Sequence, residues 1–387
     1  MKYKAYVLVL LPFITITNCN NNKLRNVDNN EDLPEKTIQI SLSDITKDEI
    51  GDFLVLDSYI ILSNDEIIGE IGRIIIDNEM IFLFDRSQMI IFCYGMDGNM
   101  IYKIDRHGQG PTDYVHIEDF GIDPVSGRLF IYDDFKRKIL VLDKLTGNHI
   151  SDFPVLYAAP HKFGVINGSF FFNMDNDIRM VDKKKHKGYN LLFSETGKQI
   201  DKSFLRQDAA ASYNCCGGFR GHPFFYNNSK LLYNRSFNYR IYHLKKTDLR
   251  LLYEVHLPNQ LPMKMINKKM DIRELFRSDY SHSLDEIYAT KQVLHFVFFK
   301  NGFIHTCFYD LDSEKILFCG IDVFANSRKN LPFYYLISGV YNDKFYALIP
   351  SFEIESRRES NPAVFPEDLQ NVKSEDNYII AFYKIVH

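Results

Sequence analysis

From residue 54 onward the chain repeats one figure: a short apolar run, a turn rich in Asp, Asn, Gly or Ser, then another apolar run. Met80–Asp85 (MIFLFD) turns through Arg86-Ser87-Gln88 into residues 89–92, and Asp97-Gly98-Asn99 turns into Met100–Ile104. Arg128–Asp133 and Lys138–Asp143 repeat the figure, and Thr146-Gly147-Asn148 leads into His149-Ile150. Aligning Phe84 with Tyr132 gives a period of 48 residues. Weaker copies run through 170–172, 231–233 with 239–244, 294–299 with 303–308, Lys344–Ile349, and 377–385. Such runs are strands, and the Asp-Gly and Thr-Gly steps are hairpin turns, because glycine accepts positive φ without penalty.

Hairpins returning every roughly 40–50 residues predict a β-propeller, each repeat being one four-stranded antiparallel blade. The spacing predicts an all-β fold of six blades, near residues 54–105, 113–153, 158–203, 219–257, 290–330 and 331–387. Two stretches exceed a blade's needs. Residues 201–222 read as a loop, and 258–289 as a short helical insertion. In the second, 271–276 (DIRELF) carries a capping box with apolar residues at helical spacing, and Ser283-Leu284-Asp285-Glu286 repeats the capping pattern.

The first nineteen residues follow a different logic. Lys2 and Lys4 precede an apolar stretch, residues 5–16, that is interrupted by Pro12 and Thr15. That run is too short to span a bilayer as a helix, which needs about 20 apolar residues, and it reads as an export signal. It ends in Ile16-Thr17-Asn18-Cys19, which resembles a bacterial lipobox despite Asn18 in a position that usually holds a small residue. The resemblance implies a diacylated Cys19 as the mature N-terminus, anchored by acyl chains worth roughly 0.8 kcal/mol per buried CH₂. Residues 20–37 begin NNNKLRNVDNNEDLPE, have no core-forming pattern, and read as a flexible tether. Residues 38–387 are then the propeller. The residues after Cys19 carry no acidic run, which leans toward a periplasm-facing placement over the outer surface of the envelope.

The 387-residue composition narrows the function classes. It is 45% hydrophobic and 25% charged, with 46 Lys+Arg against 50 Asp+Glu, which excludes a disordered chain and a polybasic nucleic-acid binder. The 24 Tyr and 32 Phe, with no Trp, suit a strand-rich core. Beyond Cys19, five cysteines remain: Cys93, Cys215, Cys216, Cys307 and Cys319. Cys307 and Cys319 flank a hairpin turn and face each other only across a five-residue loop, 311–315; a four-residue loop offsets them. Cys215-Cys216 sits in a loop, and without a CxxC partner pair a zinc site is not expected.

One stretch carries a family resemblance. Residues 102–114 (YKIDRHGQGPTDY), followed by Asp119-Phe120-Gly121-Ile122-Asp123, resemble the junction and "D-F-x-I-D" strand of the six-bladed β-propeller lipoproteins of Bacteroidetes, which are similar to the NHL and TolB propellers. The resemblance implies that fold and an envelope location; it implies no activity. Gly108 and Gly110 are expected to give the junction tight, positive-φ geometry and Pro111 to stiffen its exit.

Nucleophile, metalloprotease and P-loop motifs are missing, so no catalytic residue, metal or cofactor is expected. His295 and His305 lie in Phe-rich strands and read as core histidines. Asp175-Asn176-Asp177, Asp133-Asp134 and Asp310 with Asp312 read as turn acids. A propeller leaves a central depression, and the loop residues Arg106, His107, Tyr114, Tyr213, Arg220 and His222 are the candidates to converge on it. The chain is therefore expected to be a monomeric, non-catalytic binding or assembly module for a peptide, glycan or partner protein. Its rival is a lyase or hydrolase with a His and carboxylates in the depression. At least one His, two carboxylates and an Arg in contact in one pocket would favour that rival.

Overall fold

The computed structural model describes residues 33–45, 50–156, 158–174, 186–206, 222–227, 230–235, 237–262, 265, 272–321 and 331–386. The export signal with Cys19, most of the tether, Asp175-Asn176-Asp177, Tyr213, Cys215-Cys216, Arg220 and Asp271 lie outside the described residues.

Two strands come first, β1 (Lys36–Gln39) and β2 (Leu54–Ile61). Four up-and-down meanders then succeed one another. The first is β3 (Ile71–Asp77), β4 (Met80–Asp85), β5 (Ile90–Gly95) and β6 (Met100–Ile104). The second is β7 (Asp119–Asp123), β8 (Arg128–Asp133), β9 (Lys138–Asp143) and β10 (His149–Pro154). The third is β11 (Lys162–Ile166), β12 (Ser169–Asn173), β13 (Tyr189–Ser194) and β14 (Lys202–Arg206). The fourth is β15 (Phe224–Asn227), β16 (Lys230–Tyr233), β17 (Arg240–Lys245) and β18 (Asp248–His256). Helix α1 (Ile272–Arg277) precedes β19 (His282–Ala289), β20 (Val293–Lys300), β21 (Phe303–Asp310) and β22 (Lys315–Gly320). The chain closes with β23 (Gly339–Tyr341), β24 (Lys344–Ile349), α2 (Ser351–Ser360) and β25 (Ile379–Ile385).

Strands β3 to β6, β7 to β10, β11 to β14 and β19 to β22 each form a separate four-stranded antiparallel sheet. The expected six separate blades are not what the hydrogen bonds draw. The remaining strands join into one nine-stranded sheet in the order β1-β18-β17-β16-β15-β23-β24-β25-β2. Its two halves meet through a single parallel pair, Asn227 with Val340. Between them in the chain lies β19, whose ladder is broken twice, between His282 and Asp285 and between Asp285 and Tyr288. Where β19 leaves its ladder, the strands on either side pair with each other.

Strands 4, 5, 8 and 9 are buried over most of their length because each sheet packs on both faces. Phe82, Phe84, Ile91 and Cys93 pack with Ile122, Leu129, Ile131 and Leu140, while Ile81, Leu83 and Phe92 on the opposite face pack with Tyr346, Ile380 and Phe382. Side chains alternate between faces along a strand, so a continuous apolar run is what a sheet sandwiched between two others requires. The fold is an all-β propeller of four-stranded antiparallel blades with few helices.

Several boundaries differ from the expected ones. Leu54–Ile61 does not open the first blade; β2 pairs with β25, so the two ends of the domain share one sheet. This pairing spans the whole chain and leaves no local signal. Lys36–Gln39, partly within the expected tether, is a strand that pairs in parallel with β18. Lys202–Arg206, expected as loop, is the edge strand β14, held by burial of Phe204 and Leu205. Ser283 to Glu286, expected as a second helix start, lies in β19; the insertion keeps only α1 as its helix. Gly98 and Gly147 take the positive φ their turns require, whereas Gly108 and Gly110 do not. A Cβ on either would meet the Asp113 carboxylate at 2.6 or 2.5 Å, so glycine is needed there for close approach. Among the described residues no helix is long and apolar enough to cross a membrane.

Candidate functional site

The first strands of successive meanders, β3, β7, β11, β15, β19 and β23, come backbone to backbone closest to one another, which puts them at the centre. A cavity of about 540 Å³ opens there, lined by Arg73, Lys162, His222, Tyr226, Glu286, Tyr288, Ser338 and Tyr346 among others.

One wall is organised by Asp119, the first residue of β7. Its carboxylate accepts hydrogen bonds from Arg73 Nη1 (2.9 Å), His222 Nε2 (2.9 Å) and the Phe163 main-chain N–H (2.9 Å). Those donors come from β3, the approach to β15, and β11, so one acid ties together strands of four different meanders. Arg73 also donates to the Phe120 carbonyl, and its guanidinium lies over the rings of Phe120 (5.5 Å) and Tyr226 (5.7 Å). The Asp119 and Arg73 side chains are only 3% and 7% exposed. Burial opposes ionisation of Asp119, but His222, Arg73 and the donated hydrogen bonds outweigh it, and the carboxyl is held far below its ordinary value. His222 moves oppositely: burial first, then the Arg73 charge, lowers it to about 4. It is therefore neutral near pH 7. Its Nδ1 accepts the Phe224 N–H (3.2 Å), which leaves the proton on Nε2, aimed at Asp119.

The other wall belongs to the broken strand β19. Glu286 sits at φ 47° and Ser283 at φ 58°, left-handed backbone that side-chain-bearing residues seldom adopt. Bulges re-aim side chains, and here the result is Glu286 and Tyr288 both facing the cavity. Tyr288 Oη donates to Glu286 Oε2 (2.7 Å), and the Glu286 carbonyl accepts from His295 Nδ1 (2.9 Å). Burial, followed by the neighbouring Asp285 charge, pushes Glu286 up to about 8. At pH 7 it is a neutral carboxylic acid, able both to donate and to accept.

His116 and Glu118, just before β7, and Asp134, just after β8, bring possible ligand atoms within 4.8 Å of one another. His116 Nδ1 is already bonded to Asp134 (2.7 Å), and the Lys162 ammonium lies 3.4 Å from the Glu118 carboxylate. An ammonium at that position opposes a second cation, so the trio reads as a hydrogen-bonded cluster.

Of the six residues proposed from sequence, His222 lines the cavity. Arg106, His107 and Tyr114 form the junction after β6 and do not line it. Arg106 N–H donates to Tyr114 Oη (3.2 Å), Gly108 N–H to the Tyr114 carbonyl (2.9 Å), and Lys136 Nζ clamps the loop through the carbonyls of Gly108, Gly110 and Asp113, each at 3.0 Å. Tyr213 and Arg220 lie outside the described residues. Asp133 and Asp310 cap their turns, accepting from Lys136 N (2.9 Å) and from Asp312 and Ser313 N (2.9 and 2.7 Å). His295 and His305 are buried among aromatic rings. Sequence reasoning passed over Arg73, Glu286 and Tyr288. The one signal for Arg73 is a lone cation inside the apolar run Ile71-Gly72-Arg73-Ile74-Ile75-Ile76.

A family model described as a domain of unknown function, DUF4934, matches residues 52–384. The chain belongs to the DUF4934 family. No functionally curated protein matches it. Among solved structures, this DUF4934 chain is similar to a protein from Bacteroides fragilis described only as a candidate exported protein, with TM-score 0.75 and 15% identity over 91% of this chain and 100% of the other. It is also similar to a member of the DUF4221 family from Bacteroides vulgatus, with TM-score 0.50 and 12% identity over 86% of this chain and 98% of that one. At such identities the likeness is one of fold.

Proposed function

We propose that this DUF4934 chain is an exported, lipid-anchored binding or assembly module whose ligand, a peptide, a glycan or a segment of a partner protein, enters the central cavity. The observation that carries the binding role is the state of the polar groups around the cavity. Both nitrogens of His222 are engaged, Asp119 accepts from three donors, and Glu286 is neutral and bonded to Tyr288. A general base needs a free lone pair within reach of its proton; His222 and Asp119 commit theirs to the fold, and Glu286 already holds a proton at pH 7. Tyrosine rings and a neutral acid supply stacking and hydrogen-bonding surface to a polar ligand.

Within this reading the nine-stranded sheet is two blades joined at one bridge, and the ring has six. What supports it is packing. Apolar clusters sit between successive meanders all the way round, including one that packs the β19–β22 sheet against β24 and β25 and one that packs β24 and β25 against β4 and β5. Extracytoplasmic location is supported by the N-terminal signal pattern and by the exported description of the similar Bacteroides fragilis protein. The anchor at Cys19 and the periplasm-facing orientation rest on the lipobox resemblance and the residues after it. An enzyme is the second reading, favoured by one observation: His222, Asp119 and Arg73 touch, and Glu286 lines the cavity that His222 and Arg73 also line.

The test is a screen of the mature protein against arrays of envelope glycans and peptides, repeated with Leu336→Trp, which narrows the cavity from its wall. Retention by the wild type and loss in the folded Leu336→Trp variant is the expected result. Unchanged retention in that variant would reject the cavity as the site. Conversion of a retained ligand, lost in Glu286→Gln, would establish the enzyme reading.

A further inference from the structure

We propose that Cys307 and Cys319 are a built disulfide site that closes when the chain folds in an oxidising compartment, stapling β21 to β22. The location half of this statement rests on the export reading above; the site itself does not.

The hairpin joining the two strands holds four residues, since Asp310 pairs with Lys315 and Tyr309 with Ile316. With that loop alone, Cys307 would face Phe318 and Cys319 would face Thr306. The ladder instead skips Leu317, so that Phe308 pairs with Phe318 and Cys307 directly with Cys319. A single-residue bulge thus overrides the offset that the loop length predicts. Directly opposed residues on antiparallel strands have Cα atoms about 4.5–5.5 Å apart, inside the range that a disulfide spans. Cys307 and Cys319 are both free, buried thiols. The hairpin tip is fixed from outside by the Leu311 N–H on the Gln292 carbonyl (2.7 Å) and by an ion pair from Lys36 to Glu314 (3.0 Å).

Both cysteines are fully buried, and burial raises the Cys307 thiol well above its ordinary value. A buried, protonated thiol is a poor nucleophile, so the bond forms during folding, before the sheet is covered. One thiolate attacks a disulfide of the oxidant, a protein or small-molecule disulfide, and releases one of its sulfurs as a thiol. The second cysteine then attacks the mixed disulfide and releases the other. Two cysteine thiols give up two electrons and two protons, and the oxidant disulfide becomes two thiols.

The full chain would be produced with its own leader in a Gram-negative host and fractionated. Free thiols would be alkylated under denaturing conditions, and the peptides mapped with and without reductant. A second sample would be refolded from denaturant in a glutathione redox buffer. The expected result is a Cys307–Cys319 cross-link, lighter by about 2 Da than the two thiols, in both the envelope fraction and the refolded sample. A cross-link on refolding, with the chain itself confined to the cytoplasm and fully alkylated, leaves the site standing and overturns the export reading. Alkylation of both cysteines in envelope material, or in correctly refolded protein, overturns the proposal.

Discussion

Asp119, behind the cavity wall, and Glu286, which lines the cavity, are two buried carboxyls whose environments drive them in opposite directions. Burial raises both. Asp119 has a guanidinium, an imidazole N–H and a main-chain N–H pointing at it, and it stays ionised. Glu286 has one tyrosine hydroxyl and a like charge next door, and it keeps its proton. Partner count, not depth, decides which acid carries charge. The first is committed to holding meanders together. The second is placed on strained backbone with its hydrogen-bonding capacity turned to the cavity, as groups that meet ligands often are.

The largest effect that comparison predicts follows from removing the committed charge. Asp119→Asn leaves the Arg73 guanidinium buried without a counter-charge, which costs about 3–5 kcal/mol for a broken buried pair. Urea or guanidinium denaturation should show a matching drop; a loss below about 1 kcal/mol would mean that Asp119 is not the centre of the wall. Somewhat smaller is the acid response of His222. Its folded value, about 4, lies below the ordinary 6.5, so between those limits the unfolded chain binds the proton that the folded chain refuses. Stability rises with pH across that window and is lost as pH falls through it, by up to about 3 kcal/mol. Asp119 adds a further loss at lower pH, as the depressed carboxyl is finally protonated. Because Glu286 titrates oppositely over the same range, denaturation at pH 7, 5.5 and 4.5 would be run in the Glu286→Gln background to expose the window, and a flat profile there would place His222 in water.

The sequence made the scaffold legible where local rules decide it. Asp97-Gly98 and Thr146-Gly147 announce hairpins because glycine must take positive φ there, and the apolar runs of β4, β5, β8 and β9 announce sheets covered on both faces. What stayed hidden is non-local. The pairing of β2 with β25 joins the two ends of the domain, and the bulges of β19 answer to neighbouring strands. Helix α2 (SFEIESRRES) buries only Ser351 and Ile354, so it has no apolar stripe to read. At the site, His222 could be nominated as a loop histidine, but its partners lie 103 and 149 positions away in the chain. Ser283-Leu284-Asp285-Glu286 imitates a capping box, and only the tertiary structure turns it into a strained strand that delivers Glu286 to the cavity.

On the Glu286 side the expected effects are comparable in size and of the opposite sign. Its folded value, about 8, lies above the ordinary 4.5, so the folded chain holds a proton that the unfolded chain releases between those limits. That contribution to stability is complete below pH 4.5 and is lost as pH rises toward 8. Glu286→Gln keeps an acceptor for Tyr288 and abolishes the proton requirement, so it should stabilise the protein by up to about 4 kcal/mol at pH 8 and by almost nothing at pH 4.5. Equal effects at both pH values would show that Glu286 is not held neutral.

The smallest change is Tyr288→Phe. It removes the hydroxyl that favours the ionised form of Glu286, so the carboxyl should titrate higher still, with a direct stability cost of about 1 kcal/mol for one buried hydrogen bond. The carboxyl C=O stretch of the protonated acid, followed by infrared difference spectroscopy across pH 6 to 10, reads that shift without reference to stability. A downward move would mean that Tyr288 stabilises the neutral acid, leaving Glu286 with no partner that favours its charge.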